Sequence, residues 1–101
     1  MIKETWRAIA HLVVDLNPSG FTSSGALGVS GGQQVGYGNP TGDGTHALLW
    51  TGSADSVVDL HTFLPPEFTD SEAYGIDAEG NIVGWAEGPA LFHAFLLQPV
   101  P

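Results

Sequence analysis

The chain is written in short apolar runs broken by glycine and proline, and none of the runs keeps the three-to-four spacing of an amphipathic helix. Leu12-Val13-Val14-Asp15-Leu16 is rich in β-branched residues and predicts a strand, which Asn17-Pro18-Ser19-Gly20 ends with turn formers. Trp6-Arg7-Ala8-Ile9 reads as the tail of an earlier strand. Residues 26–30 and 34–37 predict a hairpin across Gly31-Gly32, a pair suited to a two-residue turn at positive φ. A loop over residues 38–45 and a third strand over residues 46–51 follow.

The pattern then restarts. Val57-Val58-Asp59-Leu60 repeats Val13-Val14-Asp15-Leu16 at a spacing of 44, and Trp50 repeats Trp6 at the same spacing. Ala73-Tyr74-Gly75 answers Ala26-Leu27-Gly28, Val83-Gly84 answers Val35-Gly36, and His93-Ala94-Phe95 answers His46-Ala47-Leu48. The second hairpin turns at Asp77-Ala78-Glu79-Gly80, which predicts a type I turn closed by a left-handed Gly80 at a bulge. Length differences fall in the connections: residues 61–72 form a longer loop than residues 17–25, and residues 86–92 a shorter one than residues 38–45.

Each unit therefore holds four short strands, an Ala-x-Gly, a Val-Gly, a His-Ala and a Val-Asp-Leu strand. About four strands per 40–50 residues is the pattern of a β-propeller blade. The expected fold is all-β: a single domain of two four-stranded antiparallel, propeller-like repeat units, about residues 12–55 and 56–101. The phase of the repeat puts one complete unit in the middle, with a Val-Asp-Leu strand before it and an Ala-x-Gly, Val-Gly, His-Ala trio after it.

The motifs Ser71-x-Ala73-x-Gly75-Ile76-x-x-x-Gly80-x-Ile82-Val83-Gly84 and His93-Ala94-Phe95-Leu96 resemble the HAF repeat, a bacterial β-repeat named for its His-Ala-Phe triplet. The resemblance covers about residues 11–97. The second copy follows the pattern, whereas the first has Leu48 in place of Phe and Ser30-Gly31-Gly32 in place of an Asn-rich turn. It implies a mostly extracellular setting and members with more than two copies, and it brings no catalytic residues. Met1-Ile2-Lys3-Glu4-Thr5-Trp6 lacks the apolar core of a signal peptide, so the expectation is a protein that stays inside or one whose leader was replaced.

Composition narrows the partners. The net charge is −9, and Lys3 and Arg7 are the only lysine and arginine. Phosphate backbones and anionic lipid surfaces call for clustered cations, so neither nucleic acid nor a membrane is an expected partner. No run approaches the ~20 apolar residues of a membrane-spanning helix. Charged residues make up 13% of the chain, about half the usual share, so surface chemistry is carried by other groups. The absence of cysteine removes disulfides, thiolate catalysis and cysteine-based zinc sites.

Candidate chemistry is sparse. His46 and His93 are repeat-equivalent, which predicts buried structural fixtures bonded to Ser24 and Ser71 or to Asp15 and Asp59. His11 and His61 have no such equivalence to each other and read as surface residues. Asp77-x-Glu79-x-Asn81 places oxygen side chains at alternate positions, but Gly80 precedes the third of them where a calcium loop has its glycine after it, and no closing glutamate stands at the needed distance, so it reads as a turn and no metal is expected. Ser, His and Asp are all present without a Gly-x-Ser-x-Gly elbow, and phosphate-loop and dinucleotide motifs are lacking, so no cofactor is expected. Aromatic pairs recur: Trp6 with Trp50, and Tyr37 with Trp85. Such rings either fill the space between units or stack on sugars, and Trp85 is the expected exposed member. The reading is a non-enzymatic β-repeat binding or assembly module that forms a homo-oligomer by exchanging strands at its ends, a ring of two to four chains in which three would give six blades. Its rivals are a lectin-like carbohydrate-binding oligomer and a small hydrolase.

Overall fold

The computed structural model describes residues 13–42 and 44–100. Among these residues seven strands form two antiparallel sheets. Sheet 1 runs in the order β1 (Phe21–Ser30), β2 (Gln33–Pro40), β3 (His46–Trp50) and β4 (Val58–Asp59). Sheet 2 runs β5 (Asp70–Ile76), β6 (Ile82–Gly88) and β7 (Leu91–Leu97). Sheet 1 thus joins the Ala-x-Gly, Val-Gly, His-Ala and Val-Asp-Leu segments in chain order, and sheet 2 repeats the first three.

The turns follow from their residues. Gly31 and Gly32 both lie at positive φ, 56° and 82°, as a two-residue hairpin loop requires. Gly80 stands at φ 84°, after Gly80 N–H has bonded the Asp77 carbonyl and before Asn81 closes onto Asp77 N–H, giving the expected three-residue loop with a left-handed glycine.

The Ala-x-Gly and Val-Gly motifs have one shared cause. The register slips between Ala26 and Gly28 in β1, and again between Ala73 and Gly75 in β5. Just before each bulge a main-chain carbonyl closes on the neighbouring strand. A Cβ on Gly36 would collide with the Gly25 carbonyl, and one on Gly84 with the Glu72 carbonyl. The glycine of each Val-Gly pair is therefore the space that its bulge occupies.

Several elements differ from expectation. Strand β1 starts at Phe21 and β2 extends to Pro40, because their ladder continues from Gly25–Tyr37 to Phe21–Pro40 and shortens both loops. The expected loop at residues 86–92 shrinks to Pro89-Ala90, since β6 and β7 pair out to Gly88–Leu91. A short 3-10 helix, η1 (Ala54–Ser56), precedes the Val-Asp-Leu strand, which is only two residues long, and Leu60–Phe63 turns into a second, η2, capped by the Asp59 carboxylate on His61 N–H. Residues 13–16 are not a strand, although their sequence matches that of β4. Strand β4 exists because β3 supplies its pairing partners, Leu48 for Asp59 and Leu49 for Val58. Among the described residues nothing does so for Val13–Asp15. The strand tail expected at residues 6–9 lies outside the described residues.

The core lies between the sheets. Val35 and Ala47 from sheet 1 meet Ala73 and Ile82 from sheet 2, with Leu60 of η2 closing the cluster. Strand β5 is seated on sheet 1 through its first turn of hydrogen bonds: Ser71 N–H to the Thr45 carbonyl, 2.8 Å, and Thr45 N–H to Asp70 Oδ1, 2.8 Å.

Candidate functional site

A polar circuit spans this joint. His46, at the start of β3, donates from Nδ1 to Asp59 Oδ2 at 2.8 Å. The other oxygen of Asp59 accepts His61 N–H at 3.1 Å, which fixes the first residue pair of η2. His61 in turn has Nε2 3.0 Å from the Phe68 carbonyl and Nδ1 2.7 Å from Ser71 Oγ. A carbonyl only accepts, so Nε2 carries the proton of the neutral ring and Nδ1 accepts from the Ser71 hydroxyl. Ser71 Oγ then accepts Ala47 N–H at 3.0 Å, which returns the circuit to β3. The two imidazoles stack with centroids 4.4 Å apart and planes at 10°.

The same arrangement occurs, half complete, in the first unit. Asn17 N–H bonds Asp15 Oδ1 at 2.9 Å, Asn17 Nδ2 donates to the Phe21 carbonyl at 3.0 Å, and Ser24 Oγ donates to Asn17 Oδ1 at 2.8 Å. The amide oxygen of Asn17 thus does what Nδ1 of His61 does, and its NH₂ does what Nε2–H does. Asp15, Asn17, Phe21 and Ser24 are the counterparts of Asp59, His61, Phe68 and Ser71. The sequence reads His61 as a surface residue because its repeat-equivalent position holds Asn17 and no histidine; the signal is the shared Asp-Leu-x spacing, with Asn in one copy and His in the other.

His93 corrects the expectation set for it. It is exposed, and among the described residues its ring meets the edge of Phe68, at a centroid distance of 5.6 Å. The position that Asp59 takes against His46 has no counterpart beside His93 among the described residues. His46 conforms to the expectation, half-buried and held by Asp59.

Ser, His and Asp do meet here, but in the wrong order for a hydrolase. The carboxylate of Asp59 holds the ring of His46, whereas Ser71 is bonded to His61. Ser71 is fully buried, and its oxygen is already occupied by Ala47 N–H. The three oxygens of Asp77-x-Glu79-x-Asn81 are likewise used within the turn. The Asp77 carboxylate accepts Glu79 N–H, Asn81 N–H and Asn81 Nδ2, and these bonds, led by the Asn81 side chain, hold its pKa below the usual aspartate value.

The aromatic residues divide. Trp50 is wholly buried, which removes it as a sugar platform, and its indole N–H has no partner among the described residues. Tyr37 is half-buried beside Gly25, where its ring occupies the room a Cβ would need. Trp6 lies outside the described residues. Trp85, expected to be exposed, is half-buried between two exposed rings on sheet 2: it stacks on Phe92 at 4.8 Å and 16°, with Tyr74 tilted on its other side at 6.2 Å. Tyr74 donates its hydroxyl to Glu72 at 2.6 Å, and this bond raises the phenol pKa above its ordinary value. A separate apolar groove of about 690 Å³ opens between the sheets at their hairpin end, walled by Leu49, Leu60, Phe63, Ile82 and Leu97.

No family model, curated protein or solved structure matches the chain.

Proposed function

We propose that the protein is a non-enzymatic assembly module built of propeller-like HAF-type repeat units, in which the Asp-His-Ser circuit is the clasp that joins one unit to the next. The observation that carries this reading is the duplication of the clasp, once with His61 and once with Asn17. A catalytic base cannot be replaced by an amide, whereas a structural donor and acceptor pair can. The burial of Ser71 supports the same assignment.

Exchange at His61 tests it. His61→Asn should fold with stability close to that of the parent, because Asn17 already makes these bonds in the first unit. His61→Ala should lower stability by about 1–3 kcal/mol, the cost of stranding buried partners. Chemical denaturation followed by tryptophan fluorescence separates the two. Equal loss in both variants, or ester hydrolysis abolished by His61→Asn, would refute the clasp.

The second reading is a lectin-like module, favoured by the exposed rings of Tyr74 and Phe92 on either side of the half-buried Trp85, with Glu72 beside them. Aromatic faces and a carboxylate acceptor suit stacking and hydrogen bonding to a sugar. A glycan array, with Phe92→Ala as the control, decides it: binding that this substitution removes establishes the lectin, and an empty array rejects it.

A further inference from the structure

Equivalent residues of the two units are buried very differently, and the differences fall on two complementary faces. Val35 and Ala47 are fully buried under sheet 2, but their counterparts Val83 and Ala94 are exposed, Val83 by 49%. Leu49 is half-buried, whereas its counterpart Leu96 is 55% exposed. On the opposite side, Ala73 and Ser71 are buried while Ala26 is exposed and Ser24 half-buried. Sheet 2 thus presents the face that sheet 1 covers, and β1 presents the surface with which β5 does the covering.

The edges match as well. Strand β7 pairs with β6 on one side and with no described strand on the other. Its counterpart β3 has β4 in that place. The segment of the chain with the sequence of β4 is Val13-Val14-Asp15-Leu16, and among the described residues it pairs with no strand, with Val13 77% and Val14 58% exposed. Its clasp is already set: Asp15 has bonded Asn17, and Asn17 has bonded Ser24. What it lacks is the histidine and the main-chain N–H that His46 and Ala47 supply to the second unit. His93 and Ala94 occupy those positions on β7.

We infer that a second copy of this chain docks head to tail on sheet 2, adding its Val13–Asp15 to the free edge of β7. This rests on the clasp reading above and names its partner. The β3–β4 register fixes the new one: Phe95 opposite Asp15 of the second copy, and Leu96 opposite Val14. His93 Nδ1 then donates to the Asp15 carboxylate, and Ala94 N–H donates to Ser24 Oγ. Val83, Ala94 and Leu96 become covered as Val35, Ala47 and Leu49 are. The interface is heterologous, so successive copies close into a ring when the rotation per chain permits.

The lack of any cysteine makes the test clean. Val14→Cys and Leu96→Cys are prepared separately; both sites are exposed, so each variant folds. Facing residues of an antiparallel pair bring their Cα atoms to about 4.5–5.5 Å, within disulfide range. Mixing the two under mild oxidation should give a mixed dimer in large excess over either self-dimer. Val13→Cys mixed with Leu96→Cys should not, because a one-residue slip turns the side chain to the other face. Unmodified protein should scatter light as a multiple of the 10.5 kDa chain at micromolar concentration. His93→Ala should weaken association about tenfold, the loss of one charge-assisted bond. A single-chain mass at ~100 μM, or cross-linking no better than the Val13→Cys control, overturns the inference. If that occurs while His61→Asn and His61→Ala behave as stated, the clasp stands and the partner alone is wrong.

Discussion

At the scale of single residues, the fold is held by positions where one side chain is the only one that fits. Gly80 combines a φ of 84° with a Cβ position 3.0 Å from Pro99. Gly80→Val should therefore cost on the order of 1–2 kcal/mol in chemical denaturation, from the left-handed backbone alone; an unchanged midpoint would show that the turn tolerates a branched residue. Asp77, three residues earlier, ties the same turn through its ionised carboxylate. Its pKa is lowered in the folded state, so its contribution is present above the unfolded aspartate value of about 3.9 and is lost as the pH falls through its own lower value. An NMR titration should place Asp77 below that value, and Asn81→Ala should raise it, since the Asn81 side chain is the largest cause. The turn was legible in the sequence because glycine and aspartate at those offsets have few other uses. The fate of His93 was not, because burial depends on what packs over a residue, and a repeat position records only the chemistry.

At the scale of elements, the two bulges explain why each hairpin has its sequence. Beside the bulge at Ala-x-Gly a carbonyl lies over the neighbouring strand, and only glycine in the facing Val-Gly pair leaves room for it. Gly36→Ala and Gly84→Ala should each destabilise by on the order of 1–3 kcal/mol through overpacking against main chain, which cannot rotate away as a side chain can. Alanine at the turn glycine Gly42, whose Cβ position is open, should cost less. Thermal unfolding of the three variants gives the comparison, and a larger loss at Gly42 than at Gly84 would discount the bulge as the cause. The hairpins and the order of strands within sheet 1 could be read from spacing because each strand pairs with its neighbour in sequence. Strand β4 could be placed but not measured: its two-residue length is set by Asp59 capping η2, and the bond from the Asp59 carboxylate to His61 N–H has no signature in a hydrophobic pattern.

At the scale of the whole molecule, the two sheets are alike in sequence and unlike in environment, and that asymmetry is measurable. Val35 is fully buried between the sheets, whereas Val83, in the same place on β6, is 49% exposed. A hydroxyl in place of a methyl costs what its surroundings make of it. Val35→Thr puts an unmatched polar group into the core and should cost about 1–3 kcal/mol. Val83→Thr, in dilute protein, should stay within about 0.5 kcal/mol, as surface changes do. Urea denaturation at sub-micromolar concentration measures this gap for the isolated chain. Raising the concentration then changes the comparison in one direction only. A copy that covers Val83 binds the folded state and not the unfolded one, so it stabilises the parent by mass action. Val83→Thr weakens that binding and gains less, and its deficit against the parent should grow with concentration. The deficit of Val35→Thr should stay nearly constant, because its site is covered within the chain. A Val83→Thr deficit that is flat from nanomolar to ~100 μM would mean that sheet 2 keeps its apolar face in water, with its valine and leucine held there by the repeat pattern alone.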